Sequence, residues 1–177
     1  MRHHTIAPVI ETERLRLRPH ESDDLAECVA MWSDPVVVRY TTGEPSPPQR
    51  TWFRILAYRG HWALLSYGYW AVEEKTSGRF VGELGFADFK RDIVPSIEGL
   101  RQLCWALVPQ FHGQGYATEA LKAAVAWGDH HIAERRTVCI IHRDNHRSFR
   151  VAEKLGYKAI ICTTGSGSSN TILARPD

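Results

Sequence analysis

Glu13 to Arg18, "ERLRLR", alternates charged and apolar residues with the two-residue period of a strand that buries one face. Just beyond it the period lengthens. Leu25, Cys28, Val29 and Trp32 fall at i, i+3, i+4 and i+7, which predicts a helix capped by Ser22, with Asp23 and Asp24 in its first turn and a stop at Asp34-Pro35. A loop with Gly43, Pro45, Pro47 and Pro48 follows. Ser46 is the expected cap of a second helix, with Pro47 in its first position, running through Trp52, Phe53 and Leu56 to about Gly60. Tyr67 to Glu74 and Arg79 to Ala87 read as two strands joined by the turn Lys75-Thr76-Ser77-Gly78, a hairpin signal. Leu100 to Val108, "LRQLCWALV", is a further strand, and its nearly continuous apolar end suits a strand covered on both faces.

The second half has the clearest periodicity. Ala117, Ala120, Leu121, Ala124, Val125 and Gly128 follow the 3.6-residue template in a helix from Tyr116 to about His130. Thr137 to Ile141, "TVCII", is a β-branched strand. "NHRSFRVAEKLG" reads as a second helix, with Asn145 as N-cap and Gly156 just past its end. Lys158 to Cys162 and Thr171 to Ala174 are expected closing strands, with a flexible Thr164 to Asn170 loop between them. The order predicts one mixed α/β domain over residues 1–177, and the Leu100 to Ile141 strand–helix–strand unit should bring its two strands parallel or nearly so.

Bulk properties narrow the partners. A chain of 177 residues is long enough for a sizeable core. The formal charge of +2, from 22 basic and 20 acidic residues, argues against nucleic acid as a partner. No apolar run approaches the roughly 20 residues that span a bilayer, and the N-terminus lacks a secretory h-region, so a cytoplasmic protein without membrane contact is expected. The four cysteines are widely spaced, with no CxxC pair. They read as reduced core thiols, and no metal is expected.

The chemistry centres on "PQFHGQGYATEAL", Pro109 to Leu121. A strand that ends in Gly113-x-Gly115-x-Ala117 and opens a helix leaves backbone N–H groups without partners, and with the helix dipole these suit an anion, most naturally a phosphate. A tight turn with close helix–sheet packing accounts for the glycines equally well. A Walker A loop is excluded because no Lys-Ser/Thr follows, and Gly113-Gln114-Gly115-Tyr116-Ala117 does not fit the dinucleotide fingerprint GxGxxG.

"LVPQFHGQGYATEAL" resembles the acetyl-CoA-binding segment of the Gcn5-related N-acetyltransferases (GNATs), in particular the branch that includes the Rim-type ribosomal-protein N-terminal acetyltransferases. "ETERLRLRP", "WSDPVVVRYTTGEPSP" and "NHRSFRVAEKLGY" resemble other parts of the same family in the same order. The resemblance implies a central, mostly antiparallel mixed sheet of about six to seven strands with about four helices on its two faces. Its pyrophosphate loop maps onto His112, Gly113, Gln114, Gly115, Tyr116 and Ala117, with His112 where the family usually has Gln or Arg; a second register starting at Gln110 also fits. The resemblance further implies a bulged strand before the loop, with the main chain of Trp105, Ala106 and Leu107 against the pantetheine arm and the Trp105 N–H as oxyanion donor. Asn145 would contact the same arm, with or without its capping role.

Amide formation from a thioester needs an uncharged amine and a proton for the leaving thiolate. The general acid implied by the Rim-like branch is Ser148, three residues after Asn145; Ala152 stands where other members carry a tyrosine. A first-turn serine exposed to solvent is the plain alternative. The base is open. Gln102 stands where a carboxylate is expected, leaving Glu83, Glu98, His112 or an amine that arrives deprotonated. Arg147 and Arg150 either flank the phosphates or lie on a solvated helix face. The aromatics Trp52, Trp62, Tyr67 and Trp70 are expected near the acceptor cleft, though core positions are the commoner fate of such residues. The expected activity is acetyl-CoA-dependent N-acetylation of a protein N-terminus or small-molecule amine by a monomer or homodimer. The alternatives are a CoA-binding module without catalysis and a nucleotide-binding protein.

Overall fold

The computed structural model describes residues 5–132, 136–162 and 170–176. The described strands form one sheet in the order β1-β2-β3-β4-β5-β6-β8-β7, where β1 is Ile10–Glu11, β2 Leu15–Arg18, β3 Tyr69–Glu74, β4 Phe80–Ala87, β5 Arg101–Leu107, β6 Thr137–His142, β7 Lys158–Cys162 and β8 Asn170–Arg175. Among these strands the β5–β6 pairing is the one that is parallel, as the strand–helix–strand pattern requires. Five α-helices accompany the sheet: α1 Leu25–Ser33, α2 Pro35–Val38, α3 Pro48–Leu65, α4 Tyr116–His131 and α5 His146–Lys154. The fold class is as expected. The counts exceed the expected six to seven strands and four helices because β1 has two residues and α2 a single turn, both too short to show a period.

Helix starts depart from the sequence reading in two places. Ser22 does not cap α1; it opens a short 3₁₀ turn, Ser22–Asp24, capped by Glu21. Asp24 supplies the reciprocal bond there, accepting the Glu21 N–H at 2.8 Å while Arg18 grips its carboxylate at 2.7 and 2.8 Å. Ser46 is buried without a capping bond, and Pro47 is the cap residue of α3, with Pro48 in the first helical position. The helix also continues past Gly60 to Leu65. A glycine interior costs about 1 kcal/mol relative to alanine, and the next turn is held by buried Trp62, whose Nε1–H donates to the Tyr69 carbonyl at 2.8 Å.

Alternation along the strands sorts the core into two faces. Leu15, Leu17, Leu84, Phe86, Leu103 and Leu107 meet Ala120, Leu121 and Ala124 of α4 and Ala152 of α5. Ala71 and Ala106 pack on the other face with Cys28, Met31 and Trp32 of α1 and Ile55 of α3. Trp62 and Trp70 belong to the first cluster and not to a cleft. They make edge contacts with each other and with Trp127, at centroid distances of 4.8 and 5.2 Å, each such contact contributing roughly 0.5–1.5 kcal/mol beyond area burial. Tyr67 is also buried, and Trp52 packs on the α1–α3 cluster. The thiols divide: Cys28 and Cys139 are buried, Cys104 is half-buried, and Cys162 is exposed because β7 is an edge strand, against the expectation that all four lie in the core. The Thr164 to Ser169 part of the expected loop lies outside the described residues, and Asn170 begins β8. Among the described residues no helix is long and apolar enough to cross a membrane.

Candidate active site

Parallel strands end on the same side of a sheet, so α4 and α5, which follow β5 and β6, begin close together. Between the two strands the sheet opens. β5 pairs with β6 only at Arg101–Thr137 and Gln102–Val138, while its pairing with β4 continues in unbroken register from Gln102 to Leu107. The opening therefore comes from the parting of β5 and β6. The bulge implied for β5 is not there; the register shifts fall between β3 and β4 at Val72/Glu73 and between β7 and β8 at Ala159/Ile161.

Strand alternation also decides which main-chain groups line the opening. The Val108 N–H donates to the Val81 carbonyl at 2.9 Å, so Ala106, Cys104 and Gln102 use their N–H and C=O groups toward β4. Those of Trp105 and Leu107 point the other way, into the gap. The Leu107 carbonyl is already taken, by His112 Nε2 at 2.8 Å. A carbonyl can only accept, so Nε2 carries the proton and Nδ1 is left as the acceptor. The β5–β6 pairing ends at Gln102–Val138, short of Trp105.

The loop after β5 is held open by its backbone. Gly113 and Gly115 have φ of +77° and +82°, the left-handed region where a side chain is strained. Gly115 caps α4 with no side-chain bond, and the first intrahelical bond runs from the Glu119 N–H to the Gly115 carbonyl at 3.0 Å. The N–H groups of Gly115, Tyr116, Ala117 and Thr118 thus point out of the helix start without partners among the described residues. Small residues at these positions serve different ends. Gly113 and Gly115 set the turn, whereas Ala117 packs against the core. The side chain of Tyr116 turns back into the fold, donating to Glu74 and lying under the Arg14 guanidinium at 4.3 Å. Its hydroxyl pKa is raised, first by that bond to Glu74. Gln114 folds onto the Gln110 carbonyl at 2.6 Å.

Arg14 and Glu119 complete the loop and were not singled out from the sequence. The Arg14 Nε donates to Glu119 at 2.7 Å, the Arg14 backbone N–H to the same carboxylate at 2.8 Å, and the Arg14 guanidinium to the Gln114 carbonyl at 3.0 Å. Thr12 Oγ1 adds a 2.6 Å bond to Glu119. The link between β1 and β2 thereby fixes the loop from outside. Residues about 100 apart in the chain make these bonds, and no local pattern announces them.

At the end of β6, Asn145 caps α5 by accepting the Ser148 N–H at 3.2 Å. The Ser148 hydroxyl is half-buried and makes no hydrogen bond among the described residues. Arg147 and Arg150 lie exposed on α5. Tyr40, just beyond α2, packs its ring 5.4 Å from that of His142, which brings the α2 segment over the end of β6.

The expected bases are not alike. Gln102 is buried, its carboxamide oxygen taken by Arg91 Nε at 2.7 Å. Glu83 lies directly opposite Ala106 but is sealed: Trp32 Nε1 and the Tyr58 hydroxyl donate to Oε1 at 3.0 and 2.5 Å. Burial, and then the Glu83 charge, push the Tyr58 hydroxyl well up. Glu98 is exposed and lines, with Gln102, Asp88 and Arg91, a cavity of about 290 Å³.

A gap with outward main-chain groups, flanked by two helix starts, suits an extended ligand that ends in phosphates. The comparisons agree with that geometry. A family model for the acetyltransferase (GNAT) domain matches residues 14–158. YkkB, an uncharacterised protein of Bacillus subtilis, is 31% identical over 152 residues, 82% of each chain. A Bordetella pertussis structure assigned to the GnaT family of acetyltransferases is 27% identical and superposes with a TM-score of 0.85 over 96% of this chain and all of its own. RimL, an acetyltransferase of the ribosomal protein L7/L12 solved with coenzyme A, shares the fold at 16% identity, with a TM-score of 0.76 over 95% of this chain and 97% of its own.

Proposed function

The chain belongs to the GNAT acetyltransferase family, and from that premise we propose that it transfers an acetyl group from acetyl-CoA to a primary amine, by direct attack in a ternary complex. The observation that carries this is the parting of β5 from β6 at the point where the Trp105 N–H faces the gap. CoA would supply the activated acetyl thioester. The main chain of Trp105 and Leu107 would pair with its pantetheine arm, beside Ala106, and Asn145 would meet the same arm. The partnerless N–H groups of Gly115, Tyr116, Ala117 and Thr118, with His112, Gly113 and Gln114 shaping the turn, would hold the pyrophosphate.

In the reaction, the Trp105 N–H donates to the thioester oxygen as it gains negative charge. The amine's lone pair forms the new C–N bond, the C–S bond breaks, and the Ser148 hydroxyl passes its proton to the departing sulfur while taking one up from solvent. Glu83 is sealed and Gln102 cannot accept a proton, which leaves His112 Nδ1, or water in the cavity beside Gln102 leading toward Glu98, to take the amine's proton. The acceptor is a protein N-terminus or a small-molecule amine, and the setting a cytoplasmic one.

The test is a thiol-release assay with acetyl-CoA and a panel of amines and N-terminal peptides. Turnover on at least one amine that falls steeply in Ser148→Ala supports the assignment. The absence of an ionised carboxylate at Gln102 favours a second reading, a CoA-binding module without turnover. CoA binding with no thiol release on any amine, and no effect of Ser148→Ala, would establish that reading instead.

A further inference from the structure

Opposite Ala106, on the face covered by α1 and α3, lies a polar cluster that acetyl transfer does not use. His20 comes from the link between β2 and α1, Cys28 from α1 and Glu83 from β4; all three are buried, at 0–1% exposure. His20 is the anomaly. Neither ring nitrogen has a hydrogen-bond partner, although a buried polar group without one costs about 1–3 kcal/mol. Its Nε2 stands 3.5 Å from Glu83 Oε2, longer than an N–H···O bond normally runs, and Cys28 Sγ stands 3.9 Å from the same oxygen.

We propose that His20, Cys28 and Glu83 bind a divalent metal ion, zinc by the character of the donors. The three donor atoms lie within 4.8 Å of one another. Donors sharing a tetrahedral zinc at about 2.0–2.3 Å stand roughly 3.3–3.8 Å apart, so two of the measured edges are already near that spacing. Imidazole, thiolate and carboxylate together suit zinc better than calcium or magnesium, which take oxygen donors. The charges close as well: one thiolate and one carboxylate balance a doubly positive ion, with the thiol proton released to solvent on binding.

The surroundings orient the carboxylate for this. Trp32 and Tyr58 occupy Oε1 and leave Oε2 directed at His20 and Cys28, the kind of outer bonding that fixes a metal-binding carboxylate. Three protein donors leave a fourth position to water. The spacing of His20, Cys28 and Glu83 along the chain matches no metal-binding motif, so the sequence gives no hint of it. A bound ion would clamp α1 and the β2–α1 link to β4.

The site is sealed, so the test loads it during folding. Full-length protein is unfolded with chelator, then refolded with Co²⁺ or Zn²⁺ and examined by absorption and native mass spectrometry. The expected result is one ion per chain, a thiolate-to-cobalt charge-transfer band, and loss of that band on adding zinc during refolding. Cys28→Ser should lose the band while keeping a native circular-dichroism spectrum, and His20→Gln should weaken binding by at least about 100-fold. No bound ion after refolding with either metal overturns the proposal. So does a cobalt spectrum without the thiolate band, or a band that survives in Cys28→Ser, since either places the ion elsewhere.

Discussion

Two side chains at the candidate site separate chemistry from scaffolding. Ser148 is tied to Asn145 through its N–H alone, so its hydroxyl is free to act and its removal leaves the cap in place. As the proposed general acid, Ser148 should on replacement by alanine (Ser148→Ala) lower kcat by about 100-fold or more, with CoA affinity nearly unchanged in a direct binding measurement. Glu119 is the opposite case. Burial pulls its carboxyl pKa up, but bonds from Thr12, the Arg14 N–H and the Arg14 guanidinium outweigh that and hold it below the ordinary value of 4.5. A lowered folded-state value means the stabilisation is complete above about 4.5 and is lost as pH falls through the folded-state pKa. Arg14 is partly exposed, so Glu119→Gln should cost only about 1 kcal/mol at neutral pH. In urea unfolding the gap between wild type and variant should close as pH drops below about 4.5. Of these two residues only Ser148 was singled out from the sequence, as what the family resemblance implies for the position three residues after Asn145. Arg14 and Glu119 meet through a chain separation of 105 residues, and their role exists only once β2 lies beside α4.

The unit from β5 through the loop into α4 forms one wall of the gap. Its boundaries were readable, since a nearly continuous apolar strand gives way to a strict helical period across two glycines. What the residues could not show was how the strand opens. The resemblance implied a bulge in β5, whereas the register shows a straight strand whose neighbour departs after Val138. Helix starts were misread where the capping group came from a less obvious residue, as with Glu21 and Asp24 in place of Ser22. The same unit yields a prediction. Gly115 sits at φ +82° with its N–H turned outward, so Gly115→Ala should cost about 1–2 kcal/mol from the left-handed conformation. It should also weaken CoA binding several-fold by calorimetry, more than a destabilised fold alone explains. Unchanged affinity in a folded variant would remove the loop from the phosphate site.

The whole molecule covers its sheet on two faces. On one, α4 and α5 converge on the gap between β5 and β6; on the other, α1 packs with Ile55 of α3 over Ala71 and Ala106. The mixed sheet and its parallel β5–β6 pairing were expected from the order of elements, whereas for the aromatics the sequence left cleft and core both open. Trp62 and Trp70 serve the core because α3 extends a turn past Gly60 and carries Trp62 inward. The cavity at Gln102 takes both charge signs, from Asp88, Asp92 and Glu98 against Lys90 and Arg91. If Glu98 receives the amine's proton, Glu98→Gln should lower kcat/KM with acetyl-CoA affinity unchanged.

The gap between β5 and β6, with the two helix starts beside it, is the proposed CoA site. Thermal unfolding in the presence of acetyl-CoA, ATP or NAD at equal concentration tests it most directly, because a ligand that binds only the folded state raises the transition temperature. Acetyl-CoA is expected to raise it by several degrees, with ATP and NAD giving little or no shift. No stabilisation by acetyl-CoA, or a larger one by ATP or NAD, would mean that the gap is not a CoA site.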